Sequence, residues 1–384
     1  MDVGHQEDHR GNMMDARRDG ENALPDEADL QHLERLVLGF MASQALFAGC
    51  ELGLFDLLAG GALGVGPVSG RLGLSVRGTQ RLLDVLVALR LLGATPGPEG
   101  ELIYALTPLT RACLTREGCA SQHHLLRYLG GTTYRLWAHL AEAVREGCHQ
   151  YARAFGVSND EEDDLFAAIY RSDDERLRFL SGLQDTWRDS RLTRKLLTAE
   201  DMAAFPRVCD LGGGSGELAR AWALLYPASA VTVLETPEVV RDVMDKFLPH
   251  ERVCFMPGDF FRDPLPPADV FILARVLHDW DDTTCAQLLG RVGGACGPGG
   301  AVVVVEALLP EEDDFGGDAA EGAWPAWWAW PAVRTRLLSL NMLVQTRGTE
   351  RSAAQYLDLL AAAGFTRARA HRTGSAYDVI VARK

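Results

Sequence analysis

The sequence lacks a surplus of basic residues, since 38 Lys and Arg are outnumbered by 53 Asp and Glu, for a formal net charge of −15 at pH 7. Proteins that bind nucleic-acid phosphates carry basic faces that displace counterions, so we expect no nucleic-acid partner. The chain also lacks a run of about 18 consecutive apolar residues, and its charged start lacks the apolar segment of a secretory signal. We therefore expect a cytoplasmic protein without a membrane partner that acts on a neutral or cationic small molecule.

Paired cysteines are missing as well. The eight cysteines contain no C-x-x-C pair, and several of them lie inside apolar segments. A disulfide framework or a zinc site would require pairing or clustered spacing. The cysteines are therefore expected to be reduced thiols, most of them in the protein core.

The length of 384 residues suggests two domains preceded by a tail. Residues 1–30 are polar and acidic and are expected to be disordered. Residues 31–115 contain helical segments with apolar residues on more than one face, then a helix-turn-helix and a short strand pair. This winged-helix pattern occurs in DNA-binding domains, but its second helix has few free cations, which favours a dimerisation role. Residues 116–200 are expected to be a helical linker, and residues 201–384 an α/β domain.

From residue 207 onward, short apolar runs alternate with helical segments, which is typical of a parallel α/β sheet. Strands are predicted at residues 207–211, 230–235, 252–256, 268–274, 301–306 and 377–383. A strand-like segment precedes the last of them, so the sheet is expected to close on an antiparallel pair. The predicted fold class is α/β with a Rossmann-like sheet.

Residues 208–216 have the sequence VCDLGGGSG, a strand that runs into a glycine-rich turn at the head of a helix. Glycines in such a turn permit positive φ and let the backbone approach a bulky ligand. The same segment also satisfies the G-x-G-x-x-A form of a dinucleotide motif. The motif alone therefore leaves the identity of the cofactor open.

Acidic residues at three successive strand ends favour S-adenosylmethionine over NAD as the cofactor. Asp210 inside the turn would repel a pyrophosphate but can pair with the cationic amino group of a methionine moiety. Glu235 ends the next strand and can bridge ribose hydroxyls, a role that either cofactor would accept. Asp259 follows the third strand between Gly258 and Phe260, so a carboxylate and an aromatic face are offered to an adenine ring.

A histidine follows the fourth predicted strand in the run ADVFILARVLHDW. Ligands of open α/β sheets bind at the carboxyl ends of the strands, so His278 is expected to face the cofactor. A histidine that caps a turn or fills the core is the alternative. No H-E-x-x-H motif or clustered carboxylate loop accompanies it, so no metal is expected and a magnesium-dependent mechanism is disfavoured.

The segments LARVLHDW, GDFFRDPLP, DLGGGSGELA, SLNMLVQT and GTERS resemble the plant-type caffeate and flavonoid O-methyltransferase family, and within it the branch that acts on hydroxyindoles. The resemblance extends from about Leu36 to Lys384. It implies a class I methyltransferase sheet, an amino-terminal winged-helix dimerisation domain, a homodimer, and a pocket to which residues 116–200 contribute. It also implies transfer of the methyl group of S-adenosylmethionine to the hydroxyl of N-acetylserotonin, forming melatonin. Another phenol or hydroxyindole as the acceptor stays open, as does a catalytically silent binding module.

The resemblance also assigns roles to individual residues. It makes His278 the general base, Glu306 and Glu350 its supporting acids, and Asp279 the acid beside it. With the glycine-rich turn included, the expected cofactor contacts are Tyr170, Trp187, Asp210, Gly212, Gly214, Gly216, Glu235, Gly258, Asp259, Phe260 and Arg275. The expected substrate contacts are Tyr128, Phe179, Asn341, Met342 and Gln345. The family more often has aspartate at position 235, and the added methylene of glutamate keeps the ribose role open.

An unperturbed histidine would be a weak base for such an acceptor. A phenol-like hydroxyl has a pKa near 10 and imidazole one near 6.5, so removing the proton in advance would cost roughly 5 kcal/mol. Proton transfer is therefore expected to accompany attack on the methyl group, with a glutamate stabilising the imidazolium that forms.

Residues 313–333 form a tryptophan-rich insertion, where the sequence departs most from the family pattern. The alternatives are a lid that closes over an indole, a passive surface loop, and an artefact of splicing or of the gene model. Glycine, acidic residues and proline crowd the same stretch, which favours the passive loop because surface loops tolerate added length at small cost.

Overall fold

The computed structural model describes residues 24–98, 100–157, 165–246, 250–311 and 330–384. Most of the predicted tail and most of the tryptophan-rich insertion therefore lie outside the described residues. The helices are α1 (Glu27–Glu51), α2 (Leu54–Ala59), α3 (Val65–Leu72), α4 (Val76–Ala88), α5 (Pro108–Cys113), α6 (His123–Tyr128), α7 (Tyr134–Trp137), α8 (Leu140–Glu146), α9 (Tyr151–Phe155), α10 (Leu165–Ile169), α11 (Asp173–Trp187), α12 (Ser190–Leu197), α13 (Glu217–Leu225), α14 (Pro237–Lys246), α15 (Asp282–Ala295), α16 (Trp330–Gln345) and α17 (Ala353–Ala362). The strands are β1 (Leu63–Gly64), β2 (Leu92–Pro96), β3 (Leu102–Leu106), β4 (Arg207–Leu211), β5 (Ala230–Glu235), β6 (Val253–Pro257), β7 (Ala268–Ala274), β8 (Cys296–Glu306), β9 (Thr366–His371) and β10 (Asp378–Arg383).

The amino-terminal part has the predicted helix-turn-helix and strand pair. α3 and α4 precede β2 and β3, and β1 adds a third strand that the sequence analysis missed, in the order β1-β3-β2. The expectation of disorder up to residue 30 is wrong for residues 27–30. α1 begins at Glu27 because the Asp26 and Asp29 side chains form a reciprocal capping box with the backbone N–H groups.

α1 is 25 residues long and carries many exposed apolar side chains. By length and composition alone it could cross a membrane, although a helix that packs in a protein core passes the same test. Its apolar run is nevertheless interrupted by Ser43 and Gln44, so the expectation of no membrane partner stays a prediction. An apolar helix with this much exposed surface needs a covering partner, whichever kind that is.

The α/β domain has one seven-stranded sheet in the order β6-β5-β4-β7-β8-β10-β9. The first five strands of that order are parallel, and β10 runs antiparallel to both β8 and β9, which confirms the predicted closing pair. Predicted bounds are reproduced for β4, β5 and β7. β8 begins at Cys296 rather than residue 301, because the glycine-rich start still pairs with Ala268 across a register shift.

Two buried layers cover the faces of this sheet and fix its position. One contains Trp222 and Val270, and the other contains Phe271 and Leu288, because neighbouring residues of a strand point to opposite faces. The carboxyl ends of the parallel strands β4, β5, β7 and β8 consequently meet at one edge. α11 lies over this edge, since Leu180 is 3.8 Å from the position that a Cβ on Gly214 would occupy.

Candidate active site

The glycine-rich loop connects β4 to α13 at the carboxyl edge of the sheet. Gly212, Gly214 and Gly216 have φ values of 68°, 57° and 74°. Gly216 is constrained twice, because a Cβ there would also lie 2.6 Å from the Phe255 ring. A cavity beside this loop is lined by Leu183, Trp187, Asp210, Gly212, Gly213, Gly214, Ser215, Leu218, Ala274 and Arg275. Five of the predicted cofactor residues therefore line one cavity: Trp187, Asp210, Gly212, Gly214 and Arg275.

Asp210 is a buried carboxylate that no described residue satisfies. Its side chain is fully buried, and neither oxygen accepts a hydrogen bond within the described part of the chain. Burial raises the pKa of the Asp210 carboxyl to about 8, and the Glu235 carboxylate nearby adds to the shift. A buried anion without a partner is costly, so this position is suited to a ligand that brings a positive charge or a hydrogen-bond donor.

Glu235 ends β5 beside the loop and is also buried. Its Oε1 accepts a hydrogen bond of 2.9 Å from the Gly214 N–H, and its Oε2 accepts one of 2.9 Å from the Thr236 N–H. Burial raises the pKa of this carboxyl, although both backbone bonds favour its charged form. The carboxylate thus holds the loop against β5, and the predicted ribose contact stays a prediction.

Residues that follow β6 and β7 lie beside the glycine-rich loop. Gly258 donates its N–H to the Glu235 carbonyl oxygen at 2.8 Å, and the Asp259 carboxylate accepts a 2.8 Å bond from the Phe261 N–H. The Phe260 ring lies 3.5 Å from the position of a Cβ on Gly212. Arg275 has a φ of 59° and donates to the Thr186 hydroxyl at 3.4 Å.

His278 is the centre of a buried cluster at the end of β7. It lies in a short 3-10 turn, Leu277–Asp279, and is 4% exposed. Its Nδ1 is 3.0 Å from Glu350 Oε1 and 3.4 Å from Glu306 Oε2. Its Nε2 is 3.6 Å from Asp279 Oδ1. The structure therefore brings together all four residues that were predicted to be catalytic.

Glu306 fixes the backbone of this turn as well as facing its histidine. Its Oε1 accepts hydrogen bonds from three consecutive N–H groups, those of Val276, Leu277 and His278, at 3.1, 3.0 and 3.4 Å. Because Glu306 ends β8 and is fully buried, the turn is tied to the adjacent strand of the sheet. One carboxylate oxygen thus orients the backbone while the other faces the imidazole.

The charges in this cluster perturb one another strongly. Burial lowers the pKa of His278, but the three surrounding carboxylates outweigh burial and raise that pKa to about 10. Burial raises the pKa of Glu306 to about 7, against the opposing effect of the His278 cation. The cluster therefore favours an imidazolium held by acids, and His278 is a far stronger base than free imidazole.

A donor set for a cation also exists here. One ligand atom from each of His278, Glu306 and Glu350 lies within 4.8 Å of the others. The hydrogen bonds described above already account for the arrangement of these atoms. The prediction that no metal takes part stays a prediction.

The predicted substrate residues line an aromatic region next to this cluster. The Tyr128 hydroxyl donates a 2.9 Å hydrogen bond to Gln345 Oε1, which connects α6 to α16. The Phe179 ring lies 5.5 Å from the Tyr128 ring and 5.8 Å from the Tyr170 ring. Asn341 accepts a 2.7 Å bond from the Trp137 indole N–H, while Met342 is buried. Tyr128 and Phe179 thus belong to the linker helices, and Asn341 and Gln345 on α16 are hydrogen-bonded to side chains of that linker.

The segment that carries Glu350 contains two further residues that the sequence analysis missed. A Cβ on Gly348 would lie 2.0 Å from the His278 carbonyl oxygen, so only glycine permits this approach. Arg351 is 1% exposed and donates to the carbonyl oxygens of Leu277 and Trp280 at 3.0 and 2.8 Å. The GTERS motif was the available signal, but an arginine in such a motif would ordinarily be assigned to the surface.

Comparison with known proteins places this geometry in a family. A family model described as the O-methyltransferase domain matches residues 137–366, and one described as the O-methyltransferase dimerisation domain matches residues 34–116. Acetylserotonin O-methyltransferase of Mus musculus is 48% identical over 97% of this chain and 91% of the mouse protein. The human protein of the same name is 48% identical over 90% of this chain and 95% of its own length.

A solved structure has the same overall fold. It is the crystal structure of human N-acetylserotonin methyltransferase in complex with S-adenosylmethionine, at a TM-score of 0.85 and 45% sequence identity. The match covers 94% of this chain and 99% of the human one. The chain therefore belongs to the family of O-methyltransferases with an amino-terminal dimerisation domain, in which its sequence groups it with the acetylserotonin O-methyltransferases.

Proposed function

We propose that this chain transfers the methyl group of S-adenosylmethionine to the hydroxyl of N-acetylserotonin, which forms melatonin. The observation that carries the proposal is the imidazole of His278, held between two buried glutamates at the sheet edge that also bears the glycine-rich loop. Relatives that are 48% identical over nearly the whole chain are named for this activity.

The loop residues fit S-adenosylmethionine on physical grounds. The buried carboxylate of Asp210 receives no hydrogen bond from the described residues, so it can pair with the cationic amino group of the methionine moiety. The left-handed loop glycines keep side chains out of the adjoining cavity. Trp187 lines the same cavity from α11. When bound, the cofactor supplies a methyl group made electrophilic by its sulfonium.

His278 can accept the hydroxyl proton of the acceptor through Nε2. Glu350 lies at hydrogen-bond distance from Nδ1, so the neutral imidazole keeps its proton on Nδ1 and leaves Nε2 free. With its pKa raised to about 10, His278 matches a phenol-like hydroxyl, whose pKa is near 10. Proton transfer from the acceptor to neutral His278 therefore costs close to nothing, instead of the roughly 5 kcal/mol expected for an unperturbed imidazole. The cost is instead that of deprotonating His278 before the acceptor reacts.

The remaining role of the protein is alignment and exclusion of water. The ring contacts among Tyr128, Phe179 and Tyr170 provide flat apolar walls that suit an aromatic acceptor. Gln345 and Asn341 provide amide groups at the same helix. Positioning of the acceptor oxygen against the methyl carbon contributes to rate because it replaces a bimolecular encounter.

We further propose that the chain is a homodimer through its dimerisation domain. α1 exposes about half of each of seven apolar side chains, on more than one face of the helix. They are Leu30, Leu33, Leu36, Val37, Leu38, Phe40 and Met41. A surface of this kind is covered in solution, and a second copy of the same domain presents the matching surface.

Asp210→Asn should stabilise the ligand-free protein and weaken binding of S-adenosylhomocysteine. The unfolded carboxyl ionises near pH 4 and the folded one near 8, so ionisation increasingly favours unfolding between these pH values. Asparagine removes this cost, and the free energy of unfolding at pH 7 should rise by up to about 4 kcal/mol. Thermal melts and calorimetric titration measure the two effects.

The control is Asp269→Asn, because Arg207 lowers the pKa of the Asp269 carboxyl and the substitution should destabilise the protein slightly. Equal or lower stability of Asp210→Asn, together with unchanged affinity for S-adenosylhomocysteine, would return the loop to a purely structural role.

His278→Gln should lower turnover of N-acetylserotonin by about 10²-fold or more, the usual scale for loss of a positioned general base. Affinity for S-adenosylhomocysteine should change little. The assay uses labelled S-adenosylmethionine and a panel of hydroxyindoles and catechols, so it also ranks the acceptors. His371→Gln is the matched control, because His371 also pairs with a glutamate, Glu200, at 3.3 Å but lies on β9, outside this cluster.

A His278→Gln variant with near-wild-type turnover contradicts the base assignment. A wild-type protein that binds S-adenosylhomocysteine but methylates none of the panel indicates the silent binding module. Faster turnover of a catechol than of every hydroxyindole would redirect the acceptor assignment to another phenol.

Replacing Val37 and Phe40 together by aspartate should dissociate the dimer, since charges would be buried in the apolar interface. Sedimentation velocity on the full chain measures the change. Leu224→Asp is the control, because Leu224 is more exposed than either residue but lies on α13 of the other domain. A monomeric wild-type protein contradicts the homodimer.

A further inference from the structure

Arg351 is a buried cation whose donors are directed at the backbone of the turn that carries His278. Its guanidinium donates to the Leu277 carbonyl oxygen at 3.0 Å and to the Trp280 carbonyl oxygen at 2.8 Å. These two carbonyls lie on either side of His278 and Asp279 in sequence. Its Nε also donates to Asp282 at 2.8 Å, and that carboxylate is 77% exposed. The side chain of Arg351 itself is 1% exposed.

The turn is thus held both through its backbone N–H groups and through its backbone carbonyl groups. Glu306 accepts hydrogen bonds from the N–H groups at its start, and Arg351 donates to the carbonyl groups at its two ends. The thiol of Cys285 donates to the same Leu277 oxygen at 3.1 Å, which saturates that acceptor. Removing the guanidinium would take one donor from the buried Leu277 carbonyl and one from the half-buried Trp280 carbonyl, and would leave Glu306 as the main anchor of the turn.

Arg351 is also covalently adjacent to the acid that faces the imidazole. Glu350 contacts His278 Nδ1 at 3.0 Å, and the Arg351 carbonyl oxygen accepts a 2.9 Å bond from the Leu309 N–H beyond β8. One short segment therefore carries the acid, the guanidinium and the close contact of Gly348. Movement of this segment against the turn changes the distance between Glu350 and the imidazole directly.

We propose that Arg351 is a positioning residue for the methyl-transfer reaction, which sets the distance between the His278 imidazole and the carboxylates of Glu350 and Glu306. The inference rests on the proposed function. Arg351 acts through the geometry of its donors as well as through its charge, because its planar guanidinium spans both carbonyl groups and Asp282. A single ammonium at the same place supplies the charge without spanning these acceptors.

The test compares Arg351→Lys with the wild-type protein by turnover and by the titration of His278. We expect turnover to fall tenfold or more, with affinity for S-adenosylhomocysteine within twofold of wild type. Histidine-selective ¹⁵N NMR, assigned with the His278→Gln variant, should show the His278 pKa at least one unit lower in Arg351→Lys. The carboxylates that raise this pKa, Glu306, Glu350 and Asp279, would then lie farther from the ring.

Arg252→Lys is the matched control, because Arg252 also donates to a backbone carbonyl, that of Pro227 at 2.6 Å, but within the described residues bonds neither the turn nor the segment that carries Arg351. It should leave turnover and the His278 titration unchanged. If Arg351→Lys does not fold, Arg351→Gln is used, whose amide can still donate to one carbonyl.

Lower thermal stability of the Arg351 variant with wild-type turnover and an unchanged His278 pKa would overturn the proposal and leave Arg351 a structural residue. Equal losses in the Arg252 control would overturn it as well. The NMR titration needs no substrate, so it tests Arg351 even if the wild-type protein fails to methylate any acceptor.

Discussion

The carboxylate of Glu306 is the point on which the candidate active site depends. At the end of β8 it accepts hydrogen bonds from three consecutive backbone N–H groups and still directs an oxygen toward the His278 imidazole. A fully buried acid in this place requires both interactions, since neither the charge nor the N–H groups can reach water. The order of strands in the sheet brings β7 and β8 side by side, and the fold therefore determines the geometry of the base.

The buried charged groups around this point act directly on one another. Three carboxylates, those of Asp279, Glu306 and Glu350, surround one imidazole, with the guanidinium groups of Arg275 and Arg351 near them. A strong base results because the acids stabilise the imidazolium more than burial destabilises it. Asp210 differs, since its carboxylate has no such cation among the described residues and its requirement for one is left to a ligand. Around His278 the buried acids thus stabilise a cation of the protein, whereas at the glycine-rich loop a buried acid is suited to a cation of the ligand.

Apolar periodicity predicted the strands of the sheet well, because β4, β5 and β7 are short continuous runs bounded by turns. It failed at the start of β8, where glycine and proline interrupt the apolar run although the backbone pairs with β7. The two glutamates of the catalytic cluster lie 28 and 72 residues after His278, so no local pattern could associate them with it, and the family resemblance supplied them. Arg351 and Gly348 were missed because burial of a cation and contact between two backbones are tertiary properties.

The two glutamates make His278 a strong base. The most direct test is the pH dependence of kcat/KM for the wild-type protein and for Glu350→Gln, with the same acceptor. Removal of one neighbouring carboxylate lowers the pKa of the imidazole, so the rise of kcat/KM with pH should move at least one unit to lower pH in the variant, and the limiting rate should fall. Coincident profiles would contradict the account, because the rise would then belong to ionisation of the acceptor's own hydroxyl.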